Sequence, residues 1–134
     1  MAAEALSALS AKLRALPAVG VEIASAAAPG VLAAAKAHAS AGTTPDGAPW
    51  APRKAKSGGG RALVNAAAAI TVETARDVIF LWIRDKVHVA HQFKVGPGYE
   101  ARKILPDVKA GDAVPKSYVE AIRSAAVRVI GRVA

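Results

Sequence analysis

Residues 78 to 83, Val-Ile-Phe-Leu-Trp-Ile, are six consecutive bulky apolar side chains in a chain whose apolar content is otherwise largely alanine. β-Branched and aromatic residues at that density form a strand, and a run apolar on both faces needs cover on both. Just upstream Ile70, Val72 and Thr74 alternate with a period of two, which predicts a second strand. The intervening Ala75-Arg76-Asp77 is short enough for a hairpin, so the pair is antiparallel. The rest of the chain must cover this hairpin. The expectation is the protein's own helices on one face and a neighbouring subunit on the other.

Those helices are legible on either side. Leu6, Leu9, Leu13 and Leu16 recur at spacings of three and four, one face of an amphipathic helix. Pro17 is expected to end that turn or open the next helix, which continues through alanine-rich sequence to about Ser40, with Pro29-Gly30 as a kink or break. Gly42 suits the stop. At the other end Val119, Ile122, Ala126, Val129 and Ile130 form a second stripe, with Arg123, Arg128 and Arg132 turned elsewhere. Apolar residues are 53% of the total but aromatics only 4%, so the core is thin. With 134 residues, one domain is expected over 1–134. Within it the expected order is a helical N-terminal segment (1–41), a flexible basic loop (42–62), a β-rich segment (63–114) with a short helical turn at 87–93, and a C-terminal helix (115–134). The fold class is α+β, with N-terminal helices, a small antiparallel sheet carrying a long flexible loop, and a C-terminal amphipathic helix.

The formal charge of +8 is unevenly spread. Arg53, Lys54, Lys56 and Arg61 face only Asp46 in the loop, and Lys116, Arg123, Arg128 and Arg132 face only Glu120 in the tail. Phosphate contact, a solvated face and an acidic protein partner all fit this pattern. No aromatic stacking pair accompanies the basic residues beyond Trp50. In the loop Pro45-Asp46-Gly47 is a turn signal, and Pro49 and Pro52 hold Trp50 in extended chain. Gly58-Gly59-Gly60 lacks the spaced glycines and Lys-Ser/Thr of a phosphate-binding loop and reads as linker. The first residues lack the basic front and apolar run of a secretion signal, and no stretch approaches about 18 to 20 uncharged apolar residues, so the chain reads as soluble and intracellular at synthesis.

Chemistry is constrained from the same composition. Without cysteine there is no disulfide, thiolate zinc site or cysteine nucleophile. His88 and His91 would share a helical face, but zinc needs three or four ligands, and Asp85 is the nearest carboxylate. Nothing arranges a catalytic serine or carboxylate around them. The residues read instead as a structural corner: Val87, Val89, Ala90 and Phe93 pack a short helical turn while His91 and Gln92 satisfy nearby backbone groups. No enzyme activity and no cofactor are expected.

The order of motifs carries a resemblance. Pro-Asp-Gly-Ala-Pro-Trp at 45–50, a basic loop, RALVNAAAAITV at 61–72, HVAHQFKVG at 88–96, KILPD at 103–107 and a final amphipathic helix resemble the virion morphogenesis, or tail-completion, proteins of Mu-like phages. The similarity spans roughly residues 40 to 132, and its most specific residues are Pro45, Asp46, Gly47, Trp50, His91, Gln92 and Phe93. Lys94 stands where that family usually has glycine, and residues 102–106 match its strand before the last helix only loosely. The resemblance implies a non-enzymatic structural protein of the virion neck or tail end, made in the bacterial host cytoplasm. It implies a homo-oligomeric ring that contacts tail tube or head connector proteins, with DNA passing through the lumen and no membrane partner. Leu6, Leu9 and Leu13, and the 78–83 run, are then candidate edges between subunits. Arg53, Lys54, Lys56, Arg61 and Lys94 are candidate contacts to acidic partners. The alternative is a nucleic-acid-binding accessory protein using the loop cations with Arg123, Arg128 and Arg132.

Overall fold

The computed structural model describes residues 2–51, 63–93 and 102–133. A helix α1 (Ala2–Ala41) is followed by a one-turn helix α2 (Ala66–Ala69), strands β1 (Ile70–Ala75) and β2 (Val78–Ile83), helix α3 (Lys86–Phe93), a single 3-10 turn (Val108–Ala110) and helix α4 (Lys116–Val133). The fold is α+β, with one small antiparallel sheet and a C-terminal helix.

The N-terminal segment is one helix, not two. Pro17 and Pro29 both lie inside α1, although an interior proline costs about 3 kcal/mol relative to alanine. Both are exposed, as is Ser25, whose carbonyl Pro29 leaves without its helical donor. Packing holds the helix through the second proline: Ala24, Ala27, Ala28, Val31, Ala35 and Ala39 are all buried on one face. Gly30 is a packing residue rather than a break, since a Cβ there would come within 3.1 Å of the Ala121 Cβ on α4. The helix stops at Gly42 in a Schellman motif, with φ of 73°, Gly42 N–H on the Ala39 carbonyl at 3.2 Å and Thr43 N–H on the His38 carbonyl at 3.0 Å.

Helix α4 packs on α1, with Ala121 against Gly30. Tyr118, Ala125 and Val129 are buried, whereas Val119, Ile122 and Ile130 of the expected stripe are more than a third exposed. The buried face is therefore rotated from the one that hydrophobicity alone marks. Gly30 meets Ala121 where the two helices approach closely, and Val119, Ile122 and Ile130 fall to the rim. Within α1, Pro17–Ala41 is long and apolar enough to cross a membrane by length and composition; here its alanine face lies against α4 and the hairpin.

The hairpin pairs Ile70 with Ile83, Val72 with Leu81 and Thr74 with Ile79 on one face, and Thr71 with Trp82, Glu73 with Phe80 and Ala75 with Val78 on the other. Arg76 and Asp77 make the turn, with Arg76 in the left-handed region at φ 55°. The first face joins the core, where Ile79, Leu81 and Ile83 pack against Val31, Ala35, Trp50, Ile70, Ile104 and Tyr118. The second face is open: Val78, Phe80 and Trp82 are each more than 40% exposed. The segment expected to be β-rich contains only this hairpin among its described residues. Residues 102–107 form no strand, and side chains take up several of their backbone hydrogen bonds.

Candidate functional site

The described residues that the sequence singled out meet at one corner. The chain leaves α1 through a closed turn in which Thr43 bridges to Pro49 and the Trp50 N–H donates to the Gly42 carbonyl at 2.8 Å. Inside it the Thr44 N–H reaches the Ala48 carbonyl at 2.7 Å, and the Gly47 N–H reaches the Thr44 carbonyl at 2.9 Å. Gly47 takes φ of 94°, which only glycine adopts freely. The Thr44 hydroxyl donates to the Asp46 carboxylate and accepts the Ala48 N–H. That hydroxyl is the main cause holding the Asp46 carboxyl below its ordinary value. Pro45 is buried beneath, while Asp46 and Gly47 are exposed. The turn thus delivers Trp50 to the core, where its indole N–H donates to the Lys103 carbonyl at 2.9 Å.

Helix α3 supplies the second element of the corner. Asp85 caps it, its carboxylate accepting the Val87 N–H at 2.8 Å and the His88 N–H at 3.3 Å. These backbone donors pull the Asp85 carboxyl below its usual value. At the far end Gln92, nearly fully buried, clasps the 102–107 segment with both ends of its amide. The carbonyl oxygen accepts the Ile104 N–H at 2.6 Å and the Leu105 N–H at 2.9 Å, and the amide nitrogen donates to the Leu105 carbonyl at 2.7 Å. Gln92 therefore does for this segment what a neighbouring strand would do.

Arg102 closes the corner. Buried at 5% exposure, it donates from Nε to the Ala51 carbonyl at 2.9 Å and from Nη1 to His91 Nδ1 at 3.1 Å, while its N–H donates to the His91 carbonyl at 3.0 Å. Because arginine has only donors, Nδ1 is the acceptor and the ring's remaining proton sits on Nε2. Lys103 pairs with Asp112 at 2.7 Å, and Asp112 also accepts the Asp107 N–H at 2.8 Å. The lysine ammonium is the first cause holding Asp112 below the ordinary carboxylate value.

His88 and His91 do not converge on an ion. His88 is buried beside Asp85 at 3.2 Å, and His91 is taken by Arg102. Among the described residues no group of three His, Asp or Glu side chains is placed to hold a metal. The corner joins segments near positions 50, 91 and 104 by charged and amide hydrogen bonds. Its chemistry is that of a latch.

Sequence reasoning reached Trp50, His91 and Gln92 but gave Arg102 and Ile104 no individual role. The signal available was the Arg-Lys-Ile-Leu-Pro-Asp string itself, an arginine followed by apolar residues and a proline between two glycine-containing loops. Arg53, Lys54, Lys56, Arg61 and Lys94 lie outside the described residues, as do the side chains of Leu6, Leu9, Leu13 and Phe93.

A second feature lies on the open hairpin face. Phe80 and Trp82 stack with ring centroids 6.1 Å apart, and the Arg84 guanidinium lies 5.8 Å from the Trp82 ring. Arg84 also pairs with Glu73 at 2.6 Å and donates to the Thr71 hydroxyl at 3.3 Å. The aromatic pair beside a cation is therefore here, on the hairpin, while Trp50 is inside. Comparison with protein-family models, characterised proteins and solved structures finds no match to this chain.

Proposed function

We propose that this chain is a structural virion protein that completes a phage tail or joins tail to head, acting as a ring of identical subunits at the neck or tail end. The observation that carries the reading is the corner. The Pro-Asp-Gly…Trp turn, the His-Gln pair and the Lys-Ile-Leu-Pro-Asp segment, which together make the resemblance to tail-completion proteins, are far apart in sequence yet hydrogen-bond to one another. Motifs that form one latch belong to a shared scaffold rather than to three coincidences. On this reading the protein is not an enzyme and takes no cofactor. Its partners are other copies of itself and the tail tube or head connector. Electron microscopy of particles from a strain lacking the gene tests it: full heads beside unjoined or overlong tails are expected, with joined particles restored by complementation. Normal particles from the deletion strain would remove the reading.

One observation favours a second reading, a nucleic-acid-binding accessory protein. Exposed stacked aromatics with an adjacent arginine suit single-stranded bases, and the chain carries +8. Binding on this reading weakens steeply with salt, by about 0.7 per neutralised phosphate on logarithmic axes for a single strand. It also drops when Trp82 becomes alanine. Full retention of binding after Arg53, Lys54, Lys56 and Arg61 are changed to serine would exclude the loop from it.

A further inference from the structure

The leucine spacing of α1 does not stop at Leu16. It continues at the same steps of four and three into Gly20 and Ile23, so positions 6, 9, 13, 16, 20 and 23 form one heptad seam. Gly20 and Ile23 line a groove of about 610 Å³ between α1, the hairpin and α4, together with Val78, Leu81, Tyr118 and Ile122. Two of these walls stand well open, Val78 at 46% and Ile122 at 37% exposure. Tyr118, at 4% exposure, has a buried hydroxyl without a hydrogen-bond partner among the described residues. The groove is apolar and incomplete.

The same seam outruns the other described elements. Helix α4 runs antiparallel to α1, with Ser117 Oγ 3.4 Å from His38 Nε2 and Ala121 against Gly30. With the same rise per residue in both helices, the end of α4 at Val133 comes level with roughly residues 18 to 22 of α1. The hairpin turn reaches the same level, where Asp77 lies against Gly20. Residues 2–16 therefore extend the helix past both by roughly 20 Å. A helix of that length is marginal alone in water and is stabilised by packing an apolar face on something.

We propose that the leucine seam of residues 6–16 in one copy lies in the groove lined by Ile23, Val78 and Ile122 of a second copy. Each side has what the other lacks. The arm offers a leucine stripe flanked by Lys12 and Arg14, and among the described residues the only charged one lining the groove is Asp77. The groove contains the continuation of the very seam the arm carries, so arm and wall share one periodicity and pack knobs into holes. The contact is heterologous in its elements, arm to groove, and propagates from copy to copy. It stands on the helix and the groove and does not depend on the virion role, which particle morphology decides separately.

The chain has no cysteine, which permits a direct test. Proteins carrying Leu9→Cys and Val78→Cys, purified separately, mixed and mildly oxidised, are expected to give a mixed disulfide dimer in several-fold excess over either homodimer. Light scattering is expected to show the unmodified protein as a multimer. The Leu9→Asp/Leu13→Asp protein and the Ile122→Asp protein are expected to be monomers at the same concentration, with helical circular dichroism retained. Should an aspartate variant lose its helicity, the cysteine pair decides. A monomeric unmodified protein at all concentrations overturns the proposal, as does cross-linking confined to Leu9→Cys with itself. Multimers indifferent to both aspartate variants overturn it too, and leave the groove to an apolar ligand or another protein.

Discussion

At the scale of single residues, the corner depends on Gln92 more than on either histidine. Gln92→Ala leaves the Ile104 and Leu105 N–H groups buried without partners, at about 1 to 3 kcal/mol for each unsatisfied group. Chemical denaturation is expected to show a loss of at least about 2 kcal/mol. Trp50→Ala removes a buried ring and its bond to Lys103, with an expected loss of about 3 to 5 kcal/mol. His88→Ala is expected to fall well short of either, since its neighbour Asp85 keeps the backbone N–H bonds that cap the helix. Tyr118 behaves in the opposite sense. Burial pushes its hydroxyl up to about 12 from 10.0. The unfolded chain therefore ionises first, and stability falls as pH rises from 10.0 toward about 12. Tyr118→Phe, which gives up no hydrogen bond seen among the described residues, is expected to unfold at a higher pH than the parent in an alkaline titration followed by circular dichroism.

At the scale of elements, the α1–α4 pair approaches closely where Gly30 meets Ala121. Gly30→Leu inserts a side chain where even a Cβ would stand 3.1 Å from Ala121. The helices must separate, and thermal melts should report a loss of about 1 to 3 kcal/mol despite leucine's better helix propensity. Acid has its own target. Asp85 at the start of α3 and Asp112 beside Lys103 both titrate below the ordinary carboxylate value of 3.8. Their contribution is complete above 3.8 and is lost as pH falls through their lowered values. The Asp85→Asn/Asp112→Asn protein is expected to show a shallower decline in melting temperature than the parent as pH is lowered from 3.8. An unchanged slope would remove these two groups from the acid transition.

At the scale of the whole molecule, the described structure has two surfaces that a closed monomer would not leave open. One is the Val78, Phe80 and Trp82 face of the hairpin, and the other is the groove behind it beside Gly20 and Ile23. A two-stranded sheet alone is marginal in water, and this one has helical cover on a single face. The tail-completion reading gives those surfaces neighbours, and the nucleic-acid reading gives the aromatic face a different one. The two separate in one titration: Trp82→Ala is expected to lower nucleic-acid affinity if bases stack there, and to leave it unchanged if subunits do.

Residue spacing alone marks the hairpin, the helix stop at Gly42 and the existence of a C-terminal helix. These are local matters: a strand is marked by bulky apolar residues at successive positions, and a stop by a glycine able to take positive φ. Three things were decided only by the tertiary structure. Pro17 and Pro29 fail to break α1, because the neighbouring alanine face packs on α4 through the second proline and both prolines open toward water. The buried face of α4 is set by where the helix meets α1 rather than by hydrophobicity alone: Tyr118, Ala125 and Val129 are buried, while Val119, Ile122 and Ile130 are more than a third exposed. Residues 102–107 form no strand, and Gln92, far along the chain, takes up backbone hydrogen bonds of Ile104 and Leu105. Each outcome turns on which distant group arrives at a given atom, a fact that residue spacing does not contain.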